Sequence, residues 1–78
     1  MNQSIIFEVI SSNIEKFEYW PQSRTLITTF KHGGQYRYFN VPQETVEAVA
    51  SAESVGAAFA IQIRNSFEFE KVYDGASL

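Results

Sequence analysis

The chain has no cysteine, one histidine and two prolines. Without thiols it can build neither a disulfide staple nor a thiolate zinc site. The lone imidazole, His32, does not make a metal centre by itself, so the sequence predicts no metal and no cofactor. Long apolar runs are missing as well, and no segment approaches the ~20 apolar residues of a membrane helix. Met1 to Ile10 lacks a basic stretch and carries Glu8, unlike an export signal. These absences lead us to expect a cytoplasmic chain with no membrane partner. Basic charge is scarce too: six Lys and Arg stand against nine Asp and Glu, for a net charge of −3. Long-range attraction to nucleic acid or to an anionic membrane is therefore weak. A local basic patch stays open, because charges beyond about 8–10 Å are largely screened at physiological salt.

What is present is apolar and aromatic. Hydrophobic residues make up 45% and aromatics 15% of the 78 residues, which excludes a disordered chain. The length allows one domain, spanning 1–78, with Gly75 to Leu78 expected to fray. A core of this size supplies only about 3–5 kcal/mol. With no disulfide or metal, stability must come from dense packing or from a dimer.

The chain reads strands first and helices second. Ile5 to Ile10 is β-branched and apolar, a candidate first strand, and Ser11-Ser12-Asn13 breaks it. Ile14 to Trp20 alternates, with Phe17 and Tyr19 on one side and Lys16, Glu18 and Trp20 on the other. After the turn Pro21-Gln22-Ser23, Arg24 to Phe30 sets Leu26, Thr28 and Phe30 against Thr25, Ile27 and Thr29. His32-Gly33-Gly34 signals a hairpin, and Gln35 to Asn40 returns with Tyr36 and Tyr38 on one face and Arg37 and Phe39 on the other. Pro42 suits the first position of a helix carrying Val46, Val49 and Ala50. Ser54 suits the cap of a second helix, on which Val55, Phe59 and Ile63 form a stripe. Ser66 to Tyr73 alternates again, a candidate last strand. The expected architecture is α+β: an antiparallel β-meander of three or more strands, then two short helices packed on one face.

Catalytic constellations are hard to find. A hydrolase or transferase needs a nucleophile held by a base, paired carboxylates or a metal. His32 stands beside two glycines at a turn tip, the setting of a solvated histidine. Gly33-Gly34 is not followed by the Lys and Ser/Thr of a phosphate loop. Glu68 and Glu70 share a side of the last strand, where a water-facing strand explains them. We expect a binding domain and no enzyme.

An ordered series of short motifs carries a resemblance. It runs Ser11-Ser12-Asn13-Ile14, Tyr19, Leu26-x-Thr28-x-Phe30 and Gly34-x-Tyr36-Arg37-Tyr38-Phe39-x-Val41-Pro42, then Ala52-x-Ser54-x-Gly56-x-x-Phe59 and Ile63-Arg64. The series resembles the KTSC domain family, known as an extra C-terminal domain of some lysyl-tRNA synthetases and as small stand-alone bacterial proteins. The resemblance runs from Ser11 to about Phe69 and centres on Tyr36-Arg37-Tyr38. It implies a small binding module, with RNA as a suggested ligand through the synthetase attachment. This chain departs from the family pattern at Val55, where a basic residue is common, at Ala60, where Asn is common, and at Trp20, where an acidic residue is usual.

Two functions compete. A nucleic-acid module would stack bases on tyrosines and hold phosphates with cations, giving Lys31, Tyr36, Arg37, Tyr38 and Arg64 as candidates. Against it, tyrosines at period two in a meander usually pack under helices. A protein-interaction or homodimer module would instead use Trp20, Ile27 and Phe39, with Arg37 at their flank. Against that, the slightly favoured expectation is that Ile5–Ile10 or Phe67–Tyr73 covers this face from within the chain. The side on which Arg37 and Arg64 lie separates the two.

Overall fold

Three tight turns shape the first half of the molecule. In the first, the Ser11 hydroxyl accepts the backbone N–H groups of Asn13 (3.3 Å) and Ile14 (3.2 Å) and donates to Asn13 Oδ1 at 2.9 Å. Such local bonds are why Ser and Asn interrupt strands. In the second, Arg24 takes a left-handed conformation, φ 56°, which shortens the following strand by one residue relative to the sequence reading. In the third, Gly33 has φ 104°, a value glycine adopts without steric cost. Its N–H bonds Phe30 O at 2.8 Å, and Phe30 N–H bonds Gly34 O at 2.9 Å.

The computed structural model describes residues 3–73, so the expected fraying of Gly75 to Leu78 lies outside the described residues. The elements are β1 (Ile5–Glu8), β2 (Ile14–Trp20), β3 (Thr25–Phe30), β4 (Gln35–Tyr38), α1 (Gln43–Ala50), α2 (Val55–Phe59) and β5 (Phe69–Tyr73). The strands form one antiparallel sheet in chain order, β1 to β5. The meander thus has five strands, and both helices lie in the connection between β4 and β5.

Helix starts follow their local chemistry. Pro42 is the cap residue of α1 rather than its first helical residue, a shift of one position. Ser54 caps α2 by accepting Ala57 N–H at 3.4 Å. The stripe Val55, Phe59, Ile63 is buried throughout, but its last turn differs from expectation. Ala60–Arg64 is π-helical, and the Asn65 side chain closes it by donating to Ala60 O at 3.2 Å. Gly56, near the start of α2, sits where a Cβ would lie 3.0 Å from Asn13 Oδ1. A glycine inside a helix costs about 1 kcal/mol against alanine, and here it lets the helix approach the β1–β2 turn.

Cross-strand register fixes the two faces. Tyr19 pairs with Leu26 and Leu26 with Tyr38, while Phe17 pairs with Thr28 and Thr28 with Tyr36. Apart from half-buried Tyr36 these residues are buried, as are Ile14, Val41, Val46, Val49, Val55, Phe59 and Ile63. The opposite face carries the row Ile6, Glu18, Ile27, Arg37, Glu70, one residue from each strand. The favoured expectation that Ile5–Ile10 or Phe67–Tyr73 covers this second face is corrected. Both segments pair edge-on as β1 and β5 and extend the sheet, because their backbone groups find partners in the outer strands. Among the described residues no helix is long and apolar enough to cross a membrane.

Candidate functional site

The core side of the sheet is organised around rings. Phe59 stacks on Phe17 at 5.9 Å between centroids and meets Phe30 (5.9 Å) and Tyr38 (5.4 Å) edge-on. Phe30 meets Tyr36 edge-on at 5.8 Å, Tyr36 meets Phe69 at 5.7 Å, and Phe69 meets Tyr38 at 5.5 Å. Phe59, Phe30, Tyr36, Phe69 and Tyr38 therefore close a circuit of five rings. Separations of 4.5–7 Å with tilted or edge-on planes are the geometry aromatic quadrupoles favour. The circuit runs from the interior, where Tyr38 is 2% exposed, to the edge strand, where Phe69 is 52% exposed.

At its outer end lies a hollow of about 390 Å³ lined by Asn13, Phe30, His32, Tyr36, Tyr38, Arg64 and Phe69. The hairpin turn puts the His32 ring parallel to Phe30 at 5.5 Å. His32 Nδ1 accepts Gly34 N–H at 3.2 Å, which leaves the proton of a neutral ring on Nε2. Arg64 ends the π-helical turn and has no ion-pair partner among the described residues. Burial pushes the Tyr38 phenol up from its ordinary pKa, with Arg64 pulling it back in part.

The sequence candidates thus separate. Tyr36, Tyr38 and Arg64 come together in the hollow. Lys31 is exposed at the hairpin tip. Arg37 belongs to the other face, where it meets Glu70 at 2.5 Å. Trp20, Ile27 and Phe39 are half-buried. Trp20 and Ile27 share the face of Glu18 and Arg37 by the alternation of β2 and β3. Phe39 follows Tyr38 and donates its N–H to Glu68 O at 3.0 Å, which continues the β4–β5 ladder and keeps Phe39 on the Arg37 side. On that side Ile6 is 48% exposed. The sequence alone does not single out His32, Phe30 and Phe69 as members of a site. The hairpin turn and the pairing of β5 with β4 bring them in; the turn is a local signal, but the pairing that delivers Phe69 is long-range.

A second structural cluster explains the motif around Val41. The Tyr19 hydroxyl donates to Val41 O at 2.5 Å, and Val41 N–H donates to Arg24 O at 2.8 Å. Both backbone groups of Val41 are therefore satisfied inside the core, which ties the β2–β3 turn to the entry of α1.

A five-stranded meander backed by one helical layer, without a nucleophile–base constellation in its hollow, defines a small two-layer α+β domain. The KTSC domain model matches residues 10–67, and the chain belongs to the KTSC domain family. It is similar to the crystal structure of a KTSC domain protein from Yersinia pestis, with a TM-score of 0.80 at 32% identity, covering 92% of this chain and 99% of that one. It is also 39% identical over 49 residues to an uncharacterised protein of Stutzerimonas stutzeri (strain A1501), covering 63% of this chain and 69% of the relative.

Proposed function

We propose that this domain is a non-catalytic protein-interaction module that docks through the open face of its sheet, with a second copy of itself as the partner. The observation carrying this is the row Ile6, Glu18, Ile27, Arg37, Glu70 across all five strands, flanked by half-buried Trp20 and Phe39. Apolar residues interleaved with Arg are the mix found in interface centres. On this face Arg37 meets Glu70 and Lys16 is the register partner of Glu8, while Glu18 lies between Ile6 and Ile27 with no cation across from it. A face with more carboxylates than cations suits a protein surface better than a polyanion.

Symmetry favours a second copy. Consider a twofold axis lying between two such faces and running along β3. It brings Ile27 over Ile27, and Glu18 of each copy over Arg37 of the other. An isologous contact needs this self-complementarity. Five strands about 4.8 Å apart and about 20 Å long give roughly 500 Å² per copy. That lies at the low end of specific interfaces, so the dimer is weak and reversible.

Sedimentation across a concentration series tests this, with fluorescence of Trp20, the one tryptophan, as a reporter on the docking face. Dimerisation with a blue-shifted Trp20 emission is expected. Glu18→Arg and Arg37→Glu should each weaken it, and the double swap should restore it. A chain that stays monomeric at the highest soluble concentration refutes the self-partner. Nucleic acid is the competing ligand implied by the family resemblance. Capture from a native lysate that vanishes on nuclease treatment would favour it over any protein partner.

A further inference from the structure

We infer that the hollow on the helix side of the sheet is a second, independent binding site that takes a planar aromatic anion. It lies on the face opposite Ile27 and does not depend on the proposed docking surface. The walls are ring faces and edges: Phe30 with His32 parallel to it, Tyr36, Tyr38 and Phe69. Phe69 is half exposed although it closes the aromatic circuit, so a flat ring can lie against it without displacing the core. The hollow's 390 Å³ falls within the range of small-molecule sites, about 300–1,000 Å³.

The polar groups converge at one side. Arg64 lines the hollow and carries no ion pair among the described residues. Asn13 lines it as well, and His32, with Nδ1 already bonded to the Gly34 N–H, has Nε2–H free to donate. An unpaired guanidinium with two further N–H donors beside a ring wall matches a ligand that joins an aromatic plane to a carboxylate or a phosphate. The π-helical turn contributes directly. It keeps Ile63 buried while ending the helix at Arg64, and π-turns are frequent at functional sites. Two sources offer this chemistry, a nucleoside monophosphate and an aromatic carboxylic acid.

The test is amide and side-chain shift mapping of the full chain during titration with four probes: AMP, 2-naphthoate, adenosine and inorganic phosphate. AMP or 2-naphthoate should move the signals of His32, Tyr36, Arg64 and Phe69 while Ile27 and Trp20 stay still. Preference between the two identifies the source. Adenosine should bind about tenfold or more weakly than AMP if the nucleotide is the source, and phosphate alone should not saturate. Arg64→Gln, at an exposed position, should cost about tenfold in affinity for the anions, the value of one charge-assisted contact, and leave adenosine unchanged. Phe69→Ser should abolish all ring binding while the spectrum stays dispersed. No shifts with either anion, shifts centred on Trp20 and Ile27, or unchanged affinity in Arg64→Gln would overturn the inference.

Discussion

On the helix side of the sheet, Phe17, Tyr19, Leu26, Thr28 and Tyr38 are buried almost completely. On the other side, Ile6, Glu18, Ile27, Arg37 and Glu70 remain partly or fully open to water. Each strand contributes to both faces, since successive side chains alternate. The same backbone pairing therefore serves two surfaces with different energetics. A side chain on the first surface touches other side chains all round, so its loss leaves a cavity. One on the second touches water and its cross-strand neighbours, so its loss removes little. Mutations should separate accordingly, large on the helix side and small on the open side.

The largest effect is expected at Tyr38, which joins Phe59 and Phe69 in the aromatic circuit. Truncating a buried aromatic typically costs about 3–5 kcal/mol, about the whole stability expected of a domain this small. Tyr38→Ala should therefore be unfolded at room temperature by circular dichroism. A folded Tyr38→Ala would mean that the helix side is no better packed than the open one.

Next comes Tyr19, whose hydroxyl bonds Val41 O. Tyr19→Phe keeps the ring and strands a buried carbonyl, at a cost of about 1–3 kcal/mol in a thermal melt. The phenol also links the fold to alkaline pH. Burial raises the pKa of Tyr19, with Arg24 opposing, and burial raises that of Tyr38 as well. The unfolded chain ionises these two tyrosines near pH 10, before the folded chain does. Stability is therefore full below about pH 10 and falls as the pH rises towards the folded values. Unfolding should follow the rise in tyrosinate absorbance, and Tyr19→Phe should flatten that dependence.

Thr28 runs the opposite way. It is fully buried, and its Oγ1 has no hydrogen-bond partner among the described residues. A buried hydroxyl without a partner costs about 1–3 kcal/mol by mutational measures. Thr28→Val keeps the shape and removes the orphan, so it should raise stability by about 1 kcal/mol. A lowered melting temperature would mean that the hydroxyl is bonded in solution.

Local signals carried most of this fold. Alternation in 14–20, 24–30 and 35–40, the glycine turn at 33–34 and the Ser54 cap are short-range features, and each marks an element, although β3 starts one residue later and β4 stops two residues earlier than the alternation suggests, next to left-handed Arg24 and Asn40. The fate of the outer segments was not legible. Ile5–Glu8 and Phe69–Tyr73 could have packed over the open face or joined the sheet edges, since an apolar strand satisfies both patterns. Backbone pairing decides between them, and pairing is a long-range property. The π-helical turn was hidden for a similar reason: Val55, Phe59 and Ile63 suit a regular helix equally well. Of the five nucleic-acid candidates, Tyr36, Tyr38 and Arg64 line one hollow, whereas Lys31 and Arg37 lie outside it. The hollow itself was not legible, because Phe69 reaches it only through the long-range pairing of β5 with β4.

The smallest effect is expected at Arg37, where the two-face comparison is most exposed to failure. Arg37 and Glu70 are directly paired across β4 and β5, with side chains 37% and 54% exposed. At that exposure water and salt screen the attraction, and holding two long side chains in one geometry costs rotamer freedom. Measured pairs of this kind contribute about 0–1 kcal/mol. Arg37→Ala should therefore move the melting temperature very little, and high salt should remove even that difference. Its effect on self-association should be larger, because in the proposed dimer Arg37 also meets Glu18 of the second copy. A dilute sample of Arg37→Ala should melt like the parent, and a concentrated one should lose the stabilisation that dimerisation adds by mass action. If Arg37→Ala instead costs about 2 kcal/mol or more at every concentration, approaching a buried-pair energy, the open face is covered in the monomer and the contrast between the two faces fails.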